Sequence, residues 1–190
     1  MMAEHKDAMQ LIAGIIAMIA YIPLIVGIAR NKAEQSFAAF LLWALLDSIA
    51  TITTYLEHGN YWLPFSNVIG TITVTLLLVV KRQVSWSWVE NVTAFLVIIC
   101  VAIWYSAGEQ AGIVASSLAV VIASIPQMVD TFKRPRTTPV LSYILFFSAN
   151  VVSFLAGRTW TIEERFYAAC SMFLCFVIIF FAFSRRTTHR

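Results

Sequence analysis

The chain has 190 residues, of which 60% are hydrophobic and only 12% charged. A soluble domain runs at about 45–50% apolar and about 25% charged, so composition argues against a cytosolic enzyme, a disordered segment and a disulfide-rich secreted domain, and makes lipid the solvent for most of the chain. The net charge of +3, with 13 basic residues spread in twos and threes, forms no nucleic-acid patch.

A membrane-spanning helix needs about 20 mostly apolar residues. In chain order, seven stretches reach or approach that length: 9–29, 37–56, 61–80, 92–107, 111–129, 140–157 and 166–184. The expected fold class is therefore an all-α integral membrane protein with seven transmembrane helices. The first stretch exceeds the roughly 7–15 residues of a signal-peptide core and has no small-residue cleavage site after it, so it reads as a span. The fourth is the shortest, and extending it back to Trp88 admits Glu90. The longest connection is 130–139, which leaves no room for a soluble domain.

Orientation follows from where Lys and Arg fall, because short basic loops stay in the cytoplasm. One side collects Lys6, Arg158 and Arg165; the other collects Arg30, Lys32, Lys81, Arg82, Lys133, Arg134, Arg136, Arg185, Arg186 and Arg190. The amino terminus is expected outside and the carboxyl terminus in the cytoplasm, with a prokaryotic plasma membrane as the location. The run Lys133, Arg134, Pro135, Arg136 reads as a topology signal, with lipid-headgroup contact as the alternative. Cys100, Cys170 and Cys175 all sit inside apolar runs without metal-ligand spacing and read as small hydrophobes. Trp62, Trp86, Trp88, Trp104 and Trp160 fall at span ends, as interfacial aromatics do. His5, His58 and His189 lie outside the spans. No nucleophile–base pair, phosphate loop or metal cluster is visible, so neither an enzyme nor a cofactor is expected.

The chain repeats itself at an offset of 103 residues. Ile19, Ala20, Tyr21, Ile22 and Pro23 match Ile122, Ala123, Ser124, Ile125 and Pro126. Without gaps, Arg30 then falls on Lys133, Phe40 on Tyr143, Trp43 on Phe146, Arg82 on Arg185 and Asp47 on Asn150. Residues 9–80 form a first three-helix repeat, 81–110 a linker with an inversion helix, and 111–184 a second three-helix repeat. An odd number of spans ends on the opposite side, so the extra helix is what lets the two units point the same way, a parallel repeat of the kind transporters use.

Asp47 is the sharpest single signal. A carboxylate at helix centre costs about 2.5–3.5 kcal/mol on insertion scales and normally faces a polar cavity or a proton path. Trp43, Asp47 and Thr51 recur every four residues and so share a helix face, which Thr54 extends. Opposite this face, by symmetry, the sixth span offers Tyr143, Asn150 and Ser153. Asn150 can donate and accept but cannot titrate. Asn67, Thr71 and Thr75 form a second polar row in the third span. Structural bonds between helices are the alternative for both Asp47 and Asn67. Tyr21, Trp43, Phe146 and Phe147 offer flat surfaces to a ring-shaped solute.

Three-plus-one-plus-three helices, an outside amino terminus, and Pro126 followed by Gln127 near the cytoplasmic end of the fifth span together resemble the PQ-loop family, which includes the SWEET sugar transporters, the SemiSWEETs and lysosomal amino-acid exporters. The resemblance covers about residues 9–184. It implies alternating access by a membrane transporter, with Pro23, Pro126 and Gln127 at the hinges. The first repeat departs from the pattern, since Leu24 follows Pro23. The resemblance also implies a substrate pocket of Trp43, Asp47, Ser48, Asn67, Tyr143, Phe146 and Asn150. Cys170 stands where a second asparagine would complete a sugar pocket. A sugar is the first expected substrate and an amino acid or other small metabolite the next, driven by the solute's own gradient or by protons through Asp47. A cargo or peptide receptor on the same fold is the rival. The expected partners are a small solute and the bilayer, with the chain a monomer or homo-oligomer.

Overall fold

The computed structural model describes residues 2–33, 35–84 and 88–188. Its elements are all helical: α1 (Met2–Ala29), α2 (Phe37–Leu56), α3 (Trp62–Val80), α4 (Trp88–Ala107), α5 (Glu109–Ala123), α6 (Ile125–Lys133), α7 (Val140–Ala156) and α8 (Ile162–Thr188). A helix satisfies its own backbone groups, so long apolar runs take this form in lipid. Among the described residues, five stretches are long and apolar enough to cross a membrane: Glu4–Ala29, Phe37–Leu56, Trp62–Val80, Glu109–Lys133 and Ile162–Ser184. The apolar part of α4, Ala94–Ala107, and the whole of α7 are shorter.

Two boundaries differ from expectation. The fifth apolar run is broken at Ser124 into α5 and α6, two residues before a proline that cannot donate a backbone bond. Helix α6 then continues to Lys133, so four residues of the expected 130–139 loop are helical. By contrast, α1 runs unbroken through Pro23. The two prolines are thus locally inequivalent; the side chain of Pro126 lies outside the described residues, as do those of Arg185 and Arg186. Trp86, His189 and Arg190 also lie outside them.

Helices α1, α2 and α3 end alike. Asn31, His58 and Arg82 adopt φ of 54°, 55° and 56°. The next amide in each case bonds back five residues: Lys32 N to Gly27 O, Gly59 N to Thr54 O and Gln83 N to Leu78 O, at 2.8–2.9 Å. This is the Schellman closure, which satisfies carbonyls a helix end would otherwise strand. The α4–α5 turn instead uses Gly108 at φ 84°, where a side chain would be strained.

Packing follows the apolar pattern. In α1, Ala13, Ala17, Ala20, Leu24 and Ile28 are buried, while Leu11, Ile15, Met18, Ile22 and Val26 face outward. In α8, Leu174, Cys175, Ile178 and Ala182 are buried, while Phe173, Phe176, Phe180 and Phe183 are exposed. Apolar exposure on that scale suits lipid and not water. Helix α3 packs on both α1 and α2, and α8 packs on both α5 and α7. Between these groups, α1 packs on α7 and α2 on α5. Helix α4 lies at the side, on α5 and α2, and among its described residues only Cys100 is buried.

Candidate functional site

At the centre, α1, α2, α3, α5, α7 and α8 enclose a cavity of about 50 Å³. Its wall contains four pairs separated by 103 residues: Phe40 and Tyr143, Trp43 and Phe146, Asp47 and Asn150, Thr71 and Leu174. A water needs roughly 10–15 Å³ in this measure, so the space holds a few waters.

Asp47 anchors the polar side. It is 3% exposed, and its Oδ1 accepts a hydrogen bond from the Tyr167 hydroxyl at 2.7 Å. Asn67 Nδ2 in turn donates to the Tyr167 oxygen at 2.8 Å, and the Tyr21 hydroxyl donates to Asn67 Oδ1 at 3.4 Å. Four helices therefore contribute to one directed chain of donors, from Tyr21 through Asn67 and Tyr167, that ends on the carboxylate. The close approach of α1 and α3 makes it possible: a Cβ on Gly70 would collide with the Tyr21 ring. Burial in a low dielectric strengthens each of these bonds and makes any broken link costly.

The opposite wall is less connected. Asn150, also 3% exposed, donates from Nδ2 to Phe146 O at 2.8 Å. Its Oδ1 is buried without a partner. The aromatic groups interlock, with Tyr21 and Phe146 edge to face at 4.7 Å between centroids and Tyr143 against Phe146 at 6.1 Å. Trp43 closes the space on the α5 side, where its Nε1 donates to Ser124 Oγ at 3.0 Å. Ser124 passes the link on, donating to Val120 O at 2.6 Å, so the helix break and the cavity wall are joined directly.

Of the expected pocket residues, Trp43, Asp47, Asn67, Tyr143, Phe146 and Asn150 line the cavity, and Ser48 and Cys170 do not. The reason is helical phase. Ser48 is one residue, about 100°, past Asp47, and its hydroxyl is turned back onto Ala44 O at 2.6 Å. On α8 the inward face is Tyr167, Ser171, Leu174 and Cys175, which leaves Cys170 to the side and only partly buried. Thr51 likewise bonds its own helix, at Asp47 O, while Thr54 is buried away from the cavity. Ser153 accepts from Asn60 Nδ2 at 3.0 Å. Phe147 packs near Tyr143 and Leu174 without lining the space. Gln127 is buried and donates to Thr131 Oγ1 at 3.4 Å, so its amide serves α6, not the cavity.

Tyr167 is the member that sequence reasoning missed. An aromatic near the start of an apolar run looks like an interfacial residue. The usable signal was its hydroxyl, which requires a partner once buried.

At the amino-terminal end of the bundle, Arg158 Nε lies 2.8 Å from Asp7 Oδ1 and 3.8 Å from Glu164 Oε1. Glu164 Oε2 accepts from Gln10 Nε2 at 2.9 Å and from the Arg158 amide at 3.0 Å. Arg165 donates to the carbonyls of Phe154, Gly157 and Thr159 and lies over the Trp160 ring, 4.1 Å from its centroid. Among the described residues no group of His, Cys, Asp and Glu could hold a metal ion. No family model, curated protein or solved structure matches this chain.

Proposed function

We propose that the chain is an alternating-access transporter for a small polar solute, built as two parallel three-helix units joined by α4, with seven spans, an outside amino terminus and a cytoplasmic carboxyl terminus. The observation that carries the reading is the central cavity whose lining contains four pairs 103 residues apart, Asp47 and Asn150 among them. The packing order supports it. Helix α3 lies between α1 and α2 as α8 lies between α5 and α7, and the first helix of each unit meets the second of the other. An axis along the membrane normal relates such units in parallel-repeat carriers.

On this reading the structure represents a contracted state. Drug-sized ligand pockets run to roughly 300–1,000 Å³, well above the 50 Å³ of this cavity, so a solute of sugar size enters only after the units separate. The α5–α6 break beside Ser124 is one bending point, and Pro23, inside an otherwise continuous α1, is the other. Asp47 accepts a proton during part of the cycle, because a lone carboxylate at midplane is costly to move while charged. A peptide-receptor role is disfavoured by the arginines of the amino-terminal end, since Arg158 and Arg165 are both engaged within the chain.

The test is uptake into proteoliposomes of a sugar and amino-acid panel, with and without a pH gradient. Saturable flux is expected, and Asp47→Asn abolishes its response to the gradient. Tight binding of a peptide without flux of any solute would move the assignment to a receptor.

A further inference from the structure

We infer that the solute bound between Asp47 and Asn150 is a small organic monocation bearing N–H donors, of the guanidinium or alkylammonium class, and that it exchanges for a proton; this rests on the carrier reading above. The inference comes from which polar atoms of the cavity are already used. Most of its donors are committed to the protein: Tyr21 to Asn67, Asn67 to Tyr167, Tyr167 to Asp47, Trp43 to Ser124, and the Asn150 amide nitrogen to Phe146 O. What remains is mainly acceptors. Asp47 Oδ1 takes the Tyr167 bond, leaving Oδ2 without a protein partner among the described residues. Asn150 Oδ1 is buried, unpartnered and part of the cavity wall. The hydroxyls of Tyr143 and Ser171, which also face the space, accept as readily as they donate.

Charge points the same way. No Lys, Arg or His lines the cavity, so the carboxylate of a zwitterionic amino acid finds no counter-ion there. A hexose needs several donors as well as acceptors, and the hydroxyls of Tyr143 and Ser171 are the main donors left to it. A planar or compact cation meets a carboxylate, an orphaned amide oxygen and the ring faces of Trp43, Tyr143 and Phe146, which together attract positive charge in a desolvated site.

Exchange follows from a single negative charge. The other titratable groups around Asp47 are the hydroxyls of Tyr21, Tyr143 and Tyr167 and the Cys175 thiol, all neutral in their protonated forms. Asp47 can therefore be neutralised by one proton or by one monocation, not by both. Each cation carried one way then returns a proton the other way, without net charge movement.

The experiment loads proteoliposomes at acid pH and measures uptake of labelled guanidinium from neutral buffer, beside tetramethylammonium, glucose and alanine. Guanidinium binding in detergent is read separately from the rise in thermal midpoint with concentration. Expected are saturable guanidinium uptake driven by the outward proton gradient, weaker uptake of tetramethylammonium, which has no N–H, and loss of exchange in Asp47→Asn. Asn150→Ala, which keeps the carboxylate, is expected to raise the guanidinium Kd about ten-fold or more, as loss of a hydrogen bond to a charged group does. Flux of glucose or alanine with no guanidinium uptake or competition would overturn the cation while leaving the carrier intact. Guanidinium binding without flux of any solute would support the cation site and overturn the carrier; neither binding nor flux would overturn both.

Discussion

At the amino-terminal end of the bundle, Arg158 ties Asp7 on α1 to the α7–α8 connection, Glu164 collects Gln10 and a backbone amide, and Asn60 reaches across to Ser153 and to Glu163 O. Beneath these bonds lies a layer of small residues, Ala17, Ala50, Ala149 and Ala168, packed with Leu63 and Tyr167. At the carboxyl-terminal end the ties among the described residues are of a different kind. Trp43 bonds Ser124, Lys81 reaches Ala29 O, and Thr138, Thr131 and Gln127 bond among themselves between α6 and the following turn. One end is cross-linked between distant parts of the chain by charged groups. Among the described residues the other carries aromatic packing, an indole bond beside a broken helix, the Lys81 tie to Ala29 and the Thr–Gln cluster. On the carrier reading proposed above, the α5–α6 side, where the helix is already broken, is the one expected to yield first, because interfaces of this kind switch and do not deform gradually.

The largest expected effect comes from unlocking the cross-linked end. The Glu164 side chain is 5% exposed and holds three partners. Glu164→Ala strands the Gln10 amide and the Arg158 amide and removes a partly buried ion pair, a loss of about 2–3 kcal/mol allowing for the exposure of Arg158. Cys175 lines the cavity and is a free thiol, so its alkylation by an impermeant maleimide reports opening once Cys100 and Cys170 are changed to Ser. In Glu164→Ala, labelling from the amino-terminal side is expected to accelerate roughly 30-fold or more. An unchanged rate would mean that this cluster is not a seal.

Trp43→Phe sharpens the comparison from the other end. It keeps an aromatic ring against Phe40, whose centroid lies 4.8 Å away, and removes only the bond to Ser124. The serine still donates to Val120 O, so the cost is about 1 kcal/mol. Cys175 labelling from the carboxyl-terminal side is expected to rise about five-fold, with labelling from the amino-terminal side unchanged. A rise on both sides would point to a loosened core and away from a gate.

The difference between the ends also explains what could be read from the sequence. The apolar runs located the helices in outline, because the length of a run and the need to satisfy the backbone favour a helix in lipid, although the fifth run holds two helices, α5 and α6. Asp47 and Asn150 stood out because polar groups in such runs are costly. The charged cluster did not stand out. Arg158, Arg165 and Glu164 lie in or beside a loop, where charge ordinarily means solvated surface or a topology signal, and only the folded chain brings Asp7 and Gln10 against them from some 150 positions away. Tyr167 was hidden for the same reason: its partners, Asp47 and Asn67, are distant in sequence, and nothing local distinguishes it from an interfacial aromatic. The matched prolines suggested two equal bends, yet α1 is continuous and α5–α6 is not, since what surrounds a proline decides whether its missing bond breaks the helix.

The smallest expected effects test helical phase at the waist between the two ends. Ser48 and Cys170 were placed in the pocket by analogy with a sugar-binding pattern, and both lie about one residue's rotation away from side chains that do face the space. Ser48 spends its hydroxyl on Ala44 O, a bond within its own helix that α2 does not need, because the carbonyl already serves the backbone ladder. Ser48→Ala should therefore change the thermal midpoint by less than about 0.5 kcal/mol in equivalent stability and leave solute affinity alone. Cys170→Ser exchanges one small, half-buried group for another and should be equally silent. Ser171→Ala, one position further on, removes a hydroxyl that does face the cavity and should weaken solute binding measurably. If Cys170→Ser rather than Ser171→Ala altered binding, α8 would have to be rotated by about 100° in the solute-bound state, and Tyr167 could no longer hold Asp47 in that state.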